Sequence, residues 1–236
     1  MPVQQIVQQM VSAGVHFGHH KRHPKMIPYI YTEKDNLQII DLLQTYWYLQ
    51  QACLFLFEAC RRGQRVLFVG TKKHIAKCIE KTAKDCNCWY INKRWLGGLL
   101  TNWTTLEKSI AEIQKNDSSL SNSKKEAARL ERKKKRLLKY LGGVQTMSKL
   151  PDIVIIIDQQ KEMNAVRECQ KLQIPSLTIL DTNCDPTLTD LFIPGNDDSV
   201  TSVQFLLNKL STAIKEGQEA SKKLKKKKKK SKFLES

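Results

Sequence analysis

The chain has 236 residues, 41% hydrophobic and 7% aromatic, proportions that suit one sizeable buried core, and a net charge of +17. That composition excludes a fibrous or wholly disordered chain, and no stretch approaches the ~18–20 consecutive apolar residues of a membrane-spanning helix. An excess of positive charge this large costs a fold through self-repulsion and points to a polyanionic partner, nucleic acid ahead of a membrane surface.

In chain order, residues 3–13 place Ile6, Val7, Met10 and Val11 on one face of a short amphipathic helix that Gly14 can stop. The stretch "GVHFGHHKRHPK" follows, with four of the five histidines interleaved with Lys21, Arg22 and Lys25. "IPYIYTEKDNLQIIDL" reads as two short strands around turn residues Glu33 to Asn36. Asp41 then caps a long helix ending near Arg61-Arg62-Gly63. "RVLFVG" is a buried strand, and Thr71 is expected to cap a helix through about Lys84. "CWYIN", "DIVIIID", "SLTIL" and "LFIP" are further strands, with helices at 160–172 and 198–216. Continuous apolar strands separated by helices predict an α/β fold, a doubly wound parallel sheet of the Rossmann or flavodoxin-like kind.

Residues 104–141 break this rhythm. A polar turn, "NDSSLSNS", joins two charged helical stretches, which predicts an inserted helical coiled-coil hairpin, either simply solvated or an RNA-facing arm. The tail, 218–236, holds the lysine run and is expected to be a disordered, polyanion-binding extension. The domain reading is therefore 1–103 with 142–217 as the sheet domain, 104–141 as the hairpin and 218–236 as the tail. Net charge is +8 over 1–103, +6 over 104–141, −4 over 142–217 and +7 over 218–236. Seven cysteines, mostly inside apolar runs, suit reduced thiols. The N-terminus has the layout of neither a signal peptide nor a transit peptide, so the protein is expected to work in the compartment where it is made.

Several motifs bear on function. "VLFVGTKK" offers a helix N-terminus to a phosphate but lacks the glycines of a dinucleotide or P-loop site; Lys72 and Lys73 there could hold an RNA phosphate instead. In "NKRWLGGLLTNW", Trp95 and Trp103 read as core anchors beside Lys93 and Arg94, two candidate phosphate contacts. Lys133, Lys134, Lys135 and Arg136 are the corresponding candidates on the hairpin. Asp181, Asp185, Asp190, Asp197 and Asp198 cluster at strand ends, where turn and capping roles, a metal site or catalytic carboxylates are all open. A metal-dependent phosphoryl-transfer or nuclease-type enzyme is the alternative to a nucleic-acid-binding structural protein. A peripheral membrane protein would need a lipid anchor or exposed apolar helix that the sequence does not offer.

The series "AGVHFGH", "RHPKMIPYIY", "FVGTKK", "NKRWLGGLLTNW", "YLGGV", "LPDIVIIIDQQ", "LQIPSLTILDTNCDP" and "IPGNDDS", in order and in register, resembles the second protein of the small ribosomal subunit in its bacterial and plastid form, over about residues 3–217. The resemblance implies no catalysis, binding to small-subunit ribosomal RNA near the messenger exit, and contacts with neighbouring small-subunit proteins. It also implies one divalent metal, zinc or magnesium, held by His19, Asp181 and Asp198 with Asp197 as a neighbour, while His16 packs and His20 to Lys25 face RNA. "LPDIVIIIDQQ", "REC" and the cysteine of "DTNCDP" are closer to plastid copies, implying a ribosome in the chloroplast, with the bacterial cytoplasm as the alternative. The lysine-rich tail departs from the family's often acidic extensions.

Overall fold

The computed structural model describes residues 3–108 and 124–234. Helix α1 (Val3–Ala13) ends at Gly14, whose φ of +73° is the left-handed stop that glycine adopts without strain. Strands β1 (Ile30–Lys34) and β2 (Leu37–Ile40) form an antiparallel hairpin. Its two turn residues, Asp35 and Asn36, both have positive φ, the conformation that matches the twist of a tight hairpin. Helix α2 (Leu42–Arg61) starts where the Asp41 carboxylate accepts from the Leu43 N–H at 2.9 Å.

The main sheet has five parallel strands: β3 (Val66–Val69), β4 (Trp89–Ile91), β5 (Ile153–Ile157), β6 (Ser176–Leu180) and β7 (Leu191–Pro194). Their spatial order is β4-β3-β5-β6-β7, the flavodoxin-like doubly wound order, in which the direction of winding switches between β3 and β5. The connecting helices are α3 (Ala76–Asp85), α4 (Lys124–Leu141), α5 (Met163–Leu172) and α6 (Val200–Leu234). The pleat divides each strand between two cores. Val66, Phe68, Ile155 and Ile157 face α1, α2, α3 and α6, while Leu67, Val69, Val154 and Ile156 face α5 and the 95–103 loop. Each such side chain contributes about 1.5–3 kcal/mol on burial, so the continuous apolar runs select a sheet covered on both faces. Helix α6 lies close on α2: a Cβ at Gly217 would stand 2.5 Å from the Phe57 carbonyl oxygen, an approach open only to glycine. All seven cysteines are free thiols.

Three expectations change. Helix α3 begins at Ala76 rather than at a Thr71 cap, because the Thr71 N–H and hydroxyl both donate to Glu162, at 2.8 and 2.5 Å. Asp197 does not cap the last helix: Asn196 Oδ1 accepts from the N–H groups of Asp198 and Ser199, and the Asp197 side chain turns elsewhere. Helix α6 continues through the lysine run to Leu234, a stretch in which like-charge repulsion at every turn predicts disorder. Of the inserted hairpin, residues 104–108 and α4 are helical. Its turn at 116–123 and any coiled-coil pairing of its two arms lie outside the described residues. Among the described residues no helix is long and apolar enough to cross a membrane.

Candidate functional site

Because all five strands run the same way, their carboxyl ends meet along one edge of the sheet, where an open α/β sheet presents its site. Lys72 follows β3, Asp158 follows β5, Asp181 follows β6, and Asp197 and Asp198 follow β7. The Lys72 ammonium lies 3.0 Å from Asp158, 2.7 Å from Asp197 and 2.6 Å from Asp198. Asp181, Asp197 and Asp198 each present an oxygen within 4.8 Å of the others. Burial pushes Asp197 up to about 7, with Asp181 and Asp158 adding repulsion that Lys72 only partly offsets. Burial likewise raises Asp181, against hydrogen bonds from Thr182 and His19. The hydrogen bond from Lys72 lowers Asp198. For Lys72 itself, burial opposes the charged form, but Asp197, Asp198 and Asp158 outweigh it and hold the pKa above the ordinary lysine value.

The histidine loop closes this centre from the N-terminal side. Residues 16–18 run beside β2, with Gly18 N–H donating to the Gln38 carbonyl and Ile40 N–H to that of His16. That path lets the His19 N–H donate to Asp181 at 2.9 Å and to the Thr182 hydroxyl at 3.0 Å. The His19 ring accepts from the Lys21 N–H through Nδ1 at 3.1 Å. The ring is nevertheless not part of the 4.8 Å oxygen cluster. The carboxylates gathered here are the expected Asp181 and Asp198 together with their neighbour Asp197, and the His19 N–H donates to Asp181. His16 is half-buried against Phe17, their rings 4.0 Å apart, and burial lowers its pKa.

The basic candidates fall into two groups. Lys21, Lys73, Lys93, Arg94 and Lys135 are exposed. Arg22 pairs with Glu33 at 3.6 Å, and Lys25 is held at 2.9 Å by Asp185, which also accepts from Thr187. Lys72 lies elsewhere than expected: its half-buried ammonium is turned into the carboxylate centre, held by Asp158, Asp197 and Asp198. Lys134 is partly buried on α4, while the side chains of Lys133 and Arg136 lie outside the described residues. Trp95 and Trp103 are buried, as core anchors should be.

Residues 10–217 match the family of ribosomal protein S2. The chain belongs to the ribosomal protein S2 family. It is 49% identical over 221 residues to small ribosomal subunit protein uS2c of Oltmannsiellopsis viridis, covering 90% of this chain and 93% of that one. It is 50% identical over 217 residues to uS2 of Synechococcus sp. (strain JA-2-3B'a(2-13)), covering 89% and 82%. With uS2c of Mesostigma viride it shares 48% over 220 residues, covering 90% and 96%. The S2 match contains both halves of the carboxylate centre and the inserted hairpin; the lysine run beyond 217 lies outside it.

Two residues of this S2 chain were missed from sequence. Asp158 ends a strand and reads as a turn residue, with a positive φ of 69°. Glu168 reads as one more polar position on a helix, yet it is buried and accepts from Trp95, Gly98, Leu100 and Thr101. The available signal was a carboxylate on the helix that directly follows an all-apolar strand, where one face must be buried.

Proposed function

We propose that this S2 chain is a structural constituent of the small ribosomal subunit that holds ribosomal RNA through its exposed basic loops. The match of residues 10–217 to the family carries this reading. The family assignment makes the chain a structural protein of the ribosome, not an enzyme. The RNA contacts proposed are Lys21, Arg22, Lys73, Lys93, Arg94 and the α4 group around Lys135, whose charges lie outside the central ion-pair cluster. Neighbouring small-subunit proteins complete its surroundings. The residues closer to plastid copies support a chloroplast ribosome, with the bacterial cytoplasm as the alternative. Sedimentation of a cell extract is the test: the protein should travel with small subunits and leave them as salt is raised, and a protein that stays at the top of the gradient at low salt overturns the reading.

The carboxylate centre suits a divalent cation. Asp158, Asp181, Asp197 and Asp198 outnumber the single Lys72 charge, and burial with the neighbouring carboxylates raises the Asp197 pKa. Asp181, Asp197 and Asp198 would hold the ion, and an oxygen-only set favours magnesium over zinc. Such an ion supplies cross-linking charge between the ends of β6 and β7. Magnesium added to the metal-free protein should raise its melting temperature, and D181N should abolish the rise; an equal rise in D181N refutes this site.

A further inference from the structure

We infer that Glu168 is the positioning residue of the 92–103 loop, its carboxylate occupying the anion nest that fixes the backbone presenting Lys93 and Arg94. The inference rests on the reading that this loop faces RNA.

The loop leaves β4 and forms no regular element before the helical segment at 103–108. It contains Gly97 and Gly98, with Gly98 at a φ of +81°, so its backbone at that point needs support from outside the glycine pair. Trp95, Leu99, Leu100 and Trp103 anchor it in the core, and one side chain from α5 gathers its backbone N–H groups. Glu168 Oε1 accepts from the Trp95 indole N–H at 2.9 Å and the Gly98 N–H at 2.8 Å. Oε2 accepts from the N–H groups of Leu100 and Thr101, at 2.9 and 3.1 Å, and from the Thr101 hydroxyl at 3.3 Å. Successive backbone N–H groups that converge in this way make an anion-binding nest of the kind that holds phosphate. Here the protein fills the nest with its own carboxylate, only 9% exposed. Those bonds favour the charged form and lower the Glu168 pKa even though burial opposes it.

The chemistry demands a carboxylate. An amide side chain has one acceptor oxygen and would aim its NH2 at N–H groups that need acceptors. Trp95 is thus anchored by its indole N–H as well as by its apolar ring, and the exposed Lys93 and Arg94 immediately before it inherit a fixed backbone. Anchored cations reach phosphates with less ordering on binding than cations on a free loop.

The test uses the full chain and small-subunit ribosomal RNA, with affinity measured across a salt series for the wild type, E168Q, K93A/R94A and the combined variant. K93A/R94A should flatten the dependence of log K on log salt by about 2, as expected for two phosphate contacts. E168Q should flatten it too, and the combined variant should fall no further than K93A/R94A. Hydrogen exchange should quicken over 95–101 in E168Q while Ile153–Ile157 stays protected. A wild-type slope in E168Q beside a flattened one in K93A/R94A overturns the positioning role and leaves the RNA reading standing. So do losses that add in the combined variant, or exchange that quickens equally across the sheet. A silent K93A/R94A variant overturns the RNA reading of the loop and the inference with it.

Discussion

At Gly18 a hydrogen in place of a side chain allows the histidine loop to reach the far strand ends. A Cβ there would stand 2.5 Å from Thr182 Cγ2 and 2.9 Å from the Gln38 carbonyl oxygen, so neither side of the loop can yield cheaply. G18A should cost about 1–3 kcal/mol, the usual range for overpacking, and break the His19 to Asp181 hydrogen bond. Urea denaturation with an unchanged midpoint would refute that account. Asp185 offers a pH test on the same loop. Hydrogen bonds from Thr187 and Lys25 hold its carboxyl at about 2, against the effect of partial burial. A carboxyl depressed on folding stabilises fully above its unfolded value, about 3.9, and the contribution vanishes as pH falls toward 2. K25A should shrink the loss of stability seen between pH 4 and 2; thermal melts across that window decide it. The histidines show where the sequence stopped being informative. His19 was singled out through the family's metal, but its backbone, not its ring, makes the contact with Asp181, and backbone donors have no residue signature.

The elements were legible where burial is one-sided in chemistry. Strands such as Ile153–Ile157 and Ser176–Leu180 are buried at every position and stand out as unbroken runs. Helix starts were harder, because a threonine after a strand caps a helix or bonds a distant carboxylate with equal local logic. Thr71 does the latter with Glu162, 91 positions away. Helix α6 was placed correctly at its start, but charge repulsion within the lysine run argued against the continuation to Leu234. Its tightest contact is Gly217 on α2, where a Cβ would also come within 2.9 Å of Cys60 Cβ. G217A should destabilise by about 1–3 kcal/mol. For a chain of this size each 1 kcal/mol lowers the melting temperature by roughly 2–4 °C, so a melt within 1 °C of wild type, roughly the noise on that scale, would show that the helices separate freely.

For the molecule as a whole, the uneven charge was readable from composition, and the described residues include exposed basic positions such as Lys21, Lys73, Lys93 and Arg94 as well as an acidic sheet edge. What composition could not give is strand order. Lys72 follows a strand, and a lysine there looks the same whether its neighbour is a phosphate or three carboxylates; only the parallel order of β3, β5 and β7 decides. Neutralising Lys225 to Lys230 should flatten the salt dependence of RNA binding by up to about 0.9 for each lysine that touches a phosphate. An unchanged slope would assign the lysine run to something other than RNA. The centre itself is closed by contacts spanning 125 residues between Lys72 and Asp197 and 162 between His19 and Asp181. Contacts of such separation form slowly, and on a nascent chain they wait until the C-terminal third has been made. Until then the histidine loop has no partner on which to close, so the strand-end ion pairs can form only after the strand Leu191–Pro194 and the turn behind it have been made.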